Sequence, residues 1–215
     1  MPVGEWKLAR RASSIACALE QVPRAMPVGI YANGGHGMET HRKVDGKGTM
    51  TVSVMIEIPK GGRNKYEYDK QRRLLKFDRM LFSSVHYPSD YGFILDTLAQ
   101  DGDALDALVL VWEPTFPGCI IEANPVGVFI MWDEKGMDEK ILCVPVSDPL
   151  WNYVKSLSDV PPHLLKEIQH FFSVYKDLER KKTRVKGWED RESAIKVIIE
   201  SQQRCKVQQT ECLSI

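Results

Sequence analysis

Asp101-Gly102-Asp103-Ala104-Leu105-Asp106-Ala107-Leu108-Val109-Leu110-Val111 sets three carboxylates at i, i+2 and i+5 and then runs straight into an apolar stretch. A short apolar run behind turn residues reads as a buried strand, here over 105–112. Carboxylates crowded at the mouth of a core repel one another and raise each other's proton affinity unless a cation offsets them. The simplest such cation is a hard divalent ion held by oxygens. An EF-hand loop is excluded, because its fifth and sixth positions, counted from Asp101, are Leu105 and Asp106. The spacing suits Mg²⁺ held by few carboxylates, with substrate phosphate and water completing the octahedron.

Outward from this loop, strands come first. Residues 51–58, ThrValSerValMetIleGluIle, alternate and are β-branched. Residues 65–68 and 74–77 read as short strands about a turn. Residues 119–132 read as two strands or one bent strand, broken by Asn124, Pro125 and Gly127, and 140–146 as another. Helices follow. Pro161 and Pro162 open one, with Asp159 as its cap. Its apolar face would run Leu164, Leu165, Ile168, Phe171, Phe172, Tyr175, Leu178. A second helix is expected over 189–203, with Ala194, Ile195, Ile198 and Ile199 inward. Strands followed by helices, without βαβ alternation, indicate an α+β fold.

The chain has 215 residues, with 29 basic and 29 acidic side chains and zero net charge. That argues against a general nucleic-acid binder, which needs a basic excess. Five cysteines, an odd number without CxxC spacing, argue against a disulfide framework or structural zinc and for a reducing, cytoplasmic setting. No apolar run is long enough to span a membrane. Residues 1–49 are glycine-rich and carry a local excess of three positive charges. They read as a poorly structured extension: an organelle-targeting segment around 10–19, or a tail ahead of a later start at Met26, Met38 or Met50. The expected division is therefore 1–49 extension, 50–205 domain, 206–215 flexible tail.

More charged groups flank the core strands. Asp133, Glu134, Asp138, Glu139 and Lys140 form an acidic tip, and Glu57 interrupts an apolar strand. Lys65, Arg79, Tyr87, Tyr91, Tyr175 and Lys176 supply cations and hydroxyls. Singly these are ordinary surface residues. Together they suit a metal-bridged polyphosphate, its oxygens clamped by Arg and Lys.

Eight blocks then stand in one order: IleGluIlePro (56–59), LysTyrGlu (65–67), AspArg (78–79), TyrPro and TyrGlyPhe (87–93), the acidic loop (101–106), GluProThrPheProGly (113–118), AspGlu and AspGluLys (133–140), and PhePhe with TyrLysAspLeuGlu (171–179). Over 51–203 the chain resembles the family I soluble inorganic pyrophosphatases. The resemblance implies a five-stranded OB-like β-barrel flanked by two main C-terminal helices. It implies Mg²⁺-dependent hydrolysis of pyrophosphate to two orthophosphates by direct attack of water, with several ions per site. It implies Asp101, Asp103, Asp106, Asp133, Asp138, Glu57 and Glu134 on the metal side. Asp103 would be the general base, with Tyr91 and Lys140 beside it. Lys65, Glu67, Arg79, Tyr87, Tyr175 and Lys176 would meet the substrate. It also implies a homo-oligomer, a hexamer ahead of a dimer. His163 and His170, with Phe171 and Phe172, read either as a helix contact between subunits or as ordinary amphipathic packing.

The chain departs from the family pattern in Ala104 and Leu95, both at common prolines, and in Asn124, at a common basic residue. None removes a ligand, so activity is expected to persist. The alternative is a catalytically silent assembly subunit. A nucleic-acid barrel using Trp112, Phe129 and Trp132 fits poorly with the −3 balance of residues 50–215. Glycoside hydrolysis explains two carboxylates but not the clustered acids or the clamp cations.

Overall fold

The computed structural model describes residues 42–44 and 50–213, with side chains described over 50–208. The targeting or tail reading of the extension lies outside the described residues, apart from one strand, β1 (Arg42–Val44). The strands β2 (Met50–Ile58), β3 (Asn64–Asp69), β4 (Leu74–Met80), β5 (Asp90–Ile94), β6 (Asp106–Val109), β7 (Ile120–Asp133) and β8 (Gly136–Pro145) follow. Then come helix α1 (Pro162–Val174), strand β9 (Arg184–Glu189) and helix α2 (Arg191–Leu213).

The sheet order is β1-β2-β5-β6-β8-β7-β9, and β2 also pairs with β7. Five strands, β2, β5, β6, β8 and β7, thereby close in a ring, the strand order of an OB-like barrel. All neighbours are antiparallel except β6 and β8. The β3–β4 hairpin forms a separate two-stranded sheet.

Period-two alternation divides the core. On β6, Leu108 joins Ile58, Phe129 and Leu142 with Ile168, Phe171 and Phe172 of α1. Its neighbours Ala107 and Val109 join Val52, Val54 and Ile141 with Ala194 and Ile198 of α2. Successive strand residues point to opposite faces, so one strand feeds both clusters. Each of the large side chains among them contributes roughly 1.5–3 kcal/mol by burial. Phe171 and Phe172 are 3% and 1% exposed, which selects packing within the chain over a subunit contact for these two. Phe129 is likewise core and unavailable for stacking on a base.

Several elements differ from expectation. The apolar run 105–112 is strand only over Asp106–Val109. The 119–132 stretch takes the second of its two expected forms, one bent strand, with its register to β8 shifting between Pro125 and Gly127. Pro125 has no N–H for the ladder, and a Cβ on Gly127 would lie 2.5 Å from Leu157. The acidic tip shrinks to the turn Glu134-Lys135, because β8 begins at Gly136. Asp159 caps the short 3₁₀ turn Leu157–Asp159, accepting from the Lys155 and Ser156 amides at 2.9 and 3.0 Å, instead of α1. Helix α1 stops at Val174, leaving Leu178 exposed. Helix α2 continues through Lys206 to Leu213, where a flexible tail was expected; no glycine or proline interrupts it.

Strands β5 and β9 were not foreseen. In β5, Gly92 lets the strand press on β2, where an added Cβ would sit 1.9 Å from the Met55 carbonyl oxygen. Asp90, fully buried at its start, accepts from the Lys60 amide (2.8 Å) and from the Thr115 amide and hydroxyl (3.1 and 2.6 Å). That satisfied carboxylate ties two loops to the barrel.

Candidate active site

A cleft of about 320 Å³ opens beside the acidic loop. The parallel pairing of β6 with β8 sets Asp106 directly opposite Lys140. Asp138 lies two residues before Lys140, on the same face of β8. The Lys140 ammonium, 2% exposed, donates to Asp106 at 2.6 Å, to both Asp138 oxygens at 2.8 and 2.9 Å, and to the Tyr91 hydroxyl at 3.1 Å. The Tyr91 hydroxyl in turn donates to Asp106. The rings of Tyr91 and Phe172 lie 5.4 and 5.2 Å from the ammonium. Burial works against the Lys140 charge, and Asp106 and Asp138 more than offset it, holding the ammonium well above the usual lysine range. Burial pushes the Asp138 carboxyl up even so, with repulsion from Asp106 adding to it.

Glu57 stands behind this group on β2. Burial pushes its carboxyl up to about 7, although the Tyr68 amide donates to it at 2.7 Å. Asp101 and Asp103 form the outer lip, where the Asp103 amide donates to Asp101 at 3.1 Å and Gly102 takes a φ of +89°. On the far wall, Lys176 donates to Asp133 at 2.8 Å and to Glu134 at 3.4 Å. Tyr175 is buried beside it, stacked on Phe171 at 5.3 Å. The hairpin wall carries Lys65 opposite Arg79 in register, with Lys65 paired to Glu67 and 3.5 Å from Asp78.

Every residue that the resemblance placed on the metal, catalytic or substrate side lines this cleft except Tyr87. Tyr87 is 2% exposed and packs beneath, against Tyr91 and Phe171 at 5.2 and 4.8 Å. It supports Tyr91 and does not reach the cleft. Three cations were missed: Lys70, Lys135 and Lys181 also line it. Lys135 donates to Asp103 at 3.1 Å, and Lys181 lies 3.0 Å from Glu134. Their only signal in sequence is membership of short charged runs, which most surfaces carry. Of the departures, Ala104 alone borders the cleft. Asn124 accepts from Thr51 at 3.1 Å between β7 and β2. The Leu95 amide donates to Ser53 at 3.0 Å, a bond a proline could not make.

The lining has eight carboxylates against seven basic side chains. Among the described residues no three carboxylate, thiol or imidazole groups converge on one point; lysines stand between the acids. The donor set is nevertheless all oxygen and in slight acidic excess, which fits hard divalent cations. Among the described residues no cysteine lines the cleft, and Cys143 is buried in β8, where desolvation raises its thiol pKa.

The comparisons agree with this geometry. The family model described as inorganic pyrophosphatase matches residues 54–206. An inorganic pyrophosphatase of Methanosarcina mazei is 66% identical over 151 residues, 70% of this chain and 89% of its own length. A solved inorganic pyrophosphatase of Helicobacter pylori superposes with a TM-score of 0.73 at 40% identity, covering 80% of this chain and 99% of that one. The Thermus thermophilus structure gives 0.72 at 43% identity, covering 76% and 96%.

Proposed function

The chain belongs to the inorganic pyrophosphatase family and is an inorganic diphosphatase; from that premise we propose that it splits pyrophosphate by direct attack of water, with Mg²⁺ as the cofactor and Asp103 as the base. The observation that carries this reading is the cleft's charge. Acids and bases in its lining nearly cancel, so a polyanion gains little from the protein's own cations and enters with divalent ions. Asp101, Asp103, Asp106, Asp133 and Asp138 would hold those ions, with Glu57 and Glu134 behind. Bound there, Mg²⁺ supplies charge neutralisation and acidifies water.

The chain's own groups do the rest. Lys65, Arg79, Tyr175 and Lys176 grip phosphate oxygens from two walls, which fixes the line of attack. Asp103 sits on the lip, 61% exposed, and takes the proton as water oxygen bonds to phosphorus. The bridging P–O bond breaks, and its electron pair leaves with the second phosphate. Lys140 and Tyr91 hold Asp106 and Asp138 in place while charge builds. Glu67 keeps Lys65 turned along the hairpin wall.

We also infer a homo-oligomer, a hexamer ahead of a dimer. Phosphate release from pyrophosphate, with Mg²⁺ and with EDTA, tests the catalytic reading. Wild type is expected to release phosphate only with Mg²⁺, and Asp103→Asn to fall by about 10²–10⁴-fold, the range for a lost general base. Release that persists in EDTA would overturn the metal requirement, and an unaffected Asp103→Asn would remove Asp103 from the chemistry.

A further inference from the structure

One buried carboxylate beside the cleft has no part in the mechanism above. Glu179 ends the 3₁₀ turn Asp177–Glu179 that follows Lys176, and its side chain is 5% exposed. It accepts from Arg79 Nε at 3.0 Å on one oxygen and from Nη2 at 2.9 Å on the other. This is a two-pronged fork between groups 100 positions apart in the chain. A charged acid is almost never buried unless paired, and here the pairing is complete.

We propose that Glu179 is a positioning residue: it fixes the plane of the Arg79 guanidinium so that its outer N–H groups face the substrate phosphate. The inference rests on Arg79 belonging to the phosphate clamp. A guanidinium at the end of β4 has a long, rotamer-rich stem, and the exposed hairpin beneath it offers little packing. Gripping Nε and one Nη removes that freedom. Asp78 pairs with Nη1 and closes a second side. What stays available is the edge turned toward the cleft, which Arg79 lines. The same turn follows directly from Tyr175 and Lys176, so one short segment supplies clamp groups and aims another. Lys181, 3.9 Å from Glu179 and 3.0 Å from Glu134, keeps the local charge near balance. Loss of aim therefore outweighs the loss of one negative charge near an anionic substrate.

The test is a cycle of Glu179→Gln and Arg79→Ala in the full chain with Mg²⁺. Its readouts are KM and kcat for pyrophosphate, and the Kd for inorganic phosphate by calorimetry. Glu179→Gln is expected to raise KM and the phosphate Kd roughly tenfold, the scale of a misplaced binding group. In the Arg79→Ala background it is expected to change both by less than about twofold, since coupled residues are non-additive. An unchanged or lower KM in Glu179→Gln overturns the proposal, as does an equal effect in both backgrounds. Should Glu179→Gln fail to fold, Glu179→Asp keeps the charge and loses the reach, and the same comparison applies. An unchanged KM in Arg79→Ala alone would instead overturn the clamp assignment beneath it.

Discussion

Asp103 turns both carboxylate oxygens toward lysines, with Lys135 at 3.1 Å from one and Lys70 at 4.0 Å from the other. A divalent ion that takes Asp103 as ligand displaces Lys135. Both side chains are more than half exposed, and such pairs contribute about 0.2–1 kcal/mol. Lys135→Gln is therefore expected to tighten Mg²⁺ binding by about 1.4- to five-fold, read by calorimetric titration without substrate. Unchanged or weaker binding would show that Lys135 does not compete. At this scale the acidic loop was legible because carboxylates ahead of an apolar run conflict with simple burial. Lys135 was not, because a lysine in a charged hairpin tip conflicts with nothing. Tyr87 was misplaced for a related reason. Its block sets two tyrosines four residues apart, and that spacing does not say which hydroxyl reaches solvent and which ring fills the layer below.

The acidic loop is shaped from its flanks. The Ala99 amide donates to the Asp103 carbonyl at 2.7 Å, and the Leu105 amide donates to the Thr97 hydroxyl at 3.0 Å. Neither bond uses the Ala104 N–H. Ala104→Pro should stabilise the fold by about 0.4–1 kcal/mol by restricting the unfolded chain and, by narrowing the loop's backbone freedom, shift Mg²⁺ activation to lower concentration; an identical activation curve would count against a loop limited by its own freedom. Strands with strong alternation, β2 above all, could be read directly. Strand β5 could not, since Asp90, Gly92 and a preceding proline look like a turn until Gly92 is seen pressed on Met55. Strand β9 hides because Arg184, Lys186 and Glu189 dilute its apolar positions, and its pairing with β7 brings Trp188 opposite Phe129 only in three dimensions. Helix α2 runs past residue 203 because the polar stretch that follows holds no glycine or proline to end it.

For the molecule as a whole, the α+β class followed from element order, whereas ring closure needed the β2–β7 pairing that no local pattern reveals. Phe82, Trp112 and Phe116 stand more than half exposed in the single chain. Light scattering is expected to give a mass several times that of one chain, six times if the hexamer holds; a monomer mass would overturn the oligomer inference. The parallel β6–β8 pairing has a further consequence for a chain being made from its N-terminus. The ribosome delivers Asp101–Asp106 early, but their neighbours on β8 come later, and Tyr175, Lys176 and Glu179 later still. Contacts of such wide separation form slowly. A growing polypeptide therefore presents these acids before the residues proposed to clamp the substrate, and a chain truncated ahead of Tyr175 is expected to leave pyrophosphate unhydrolysed.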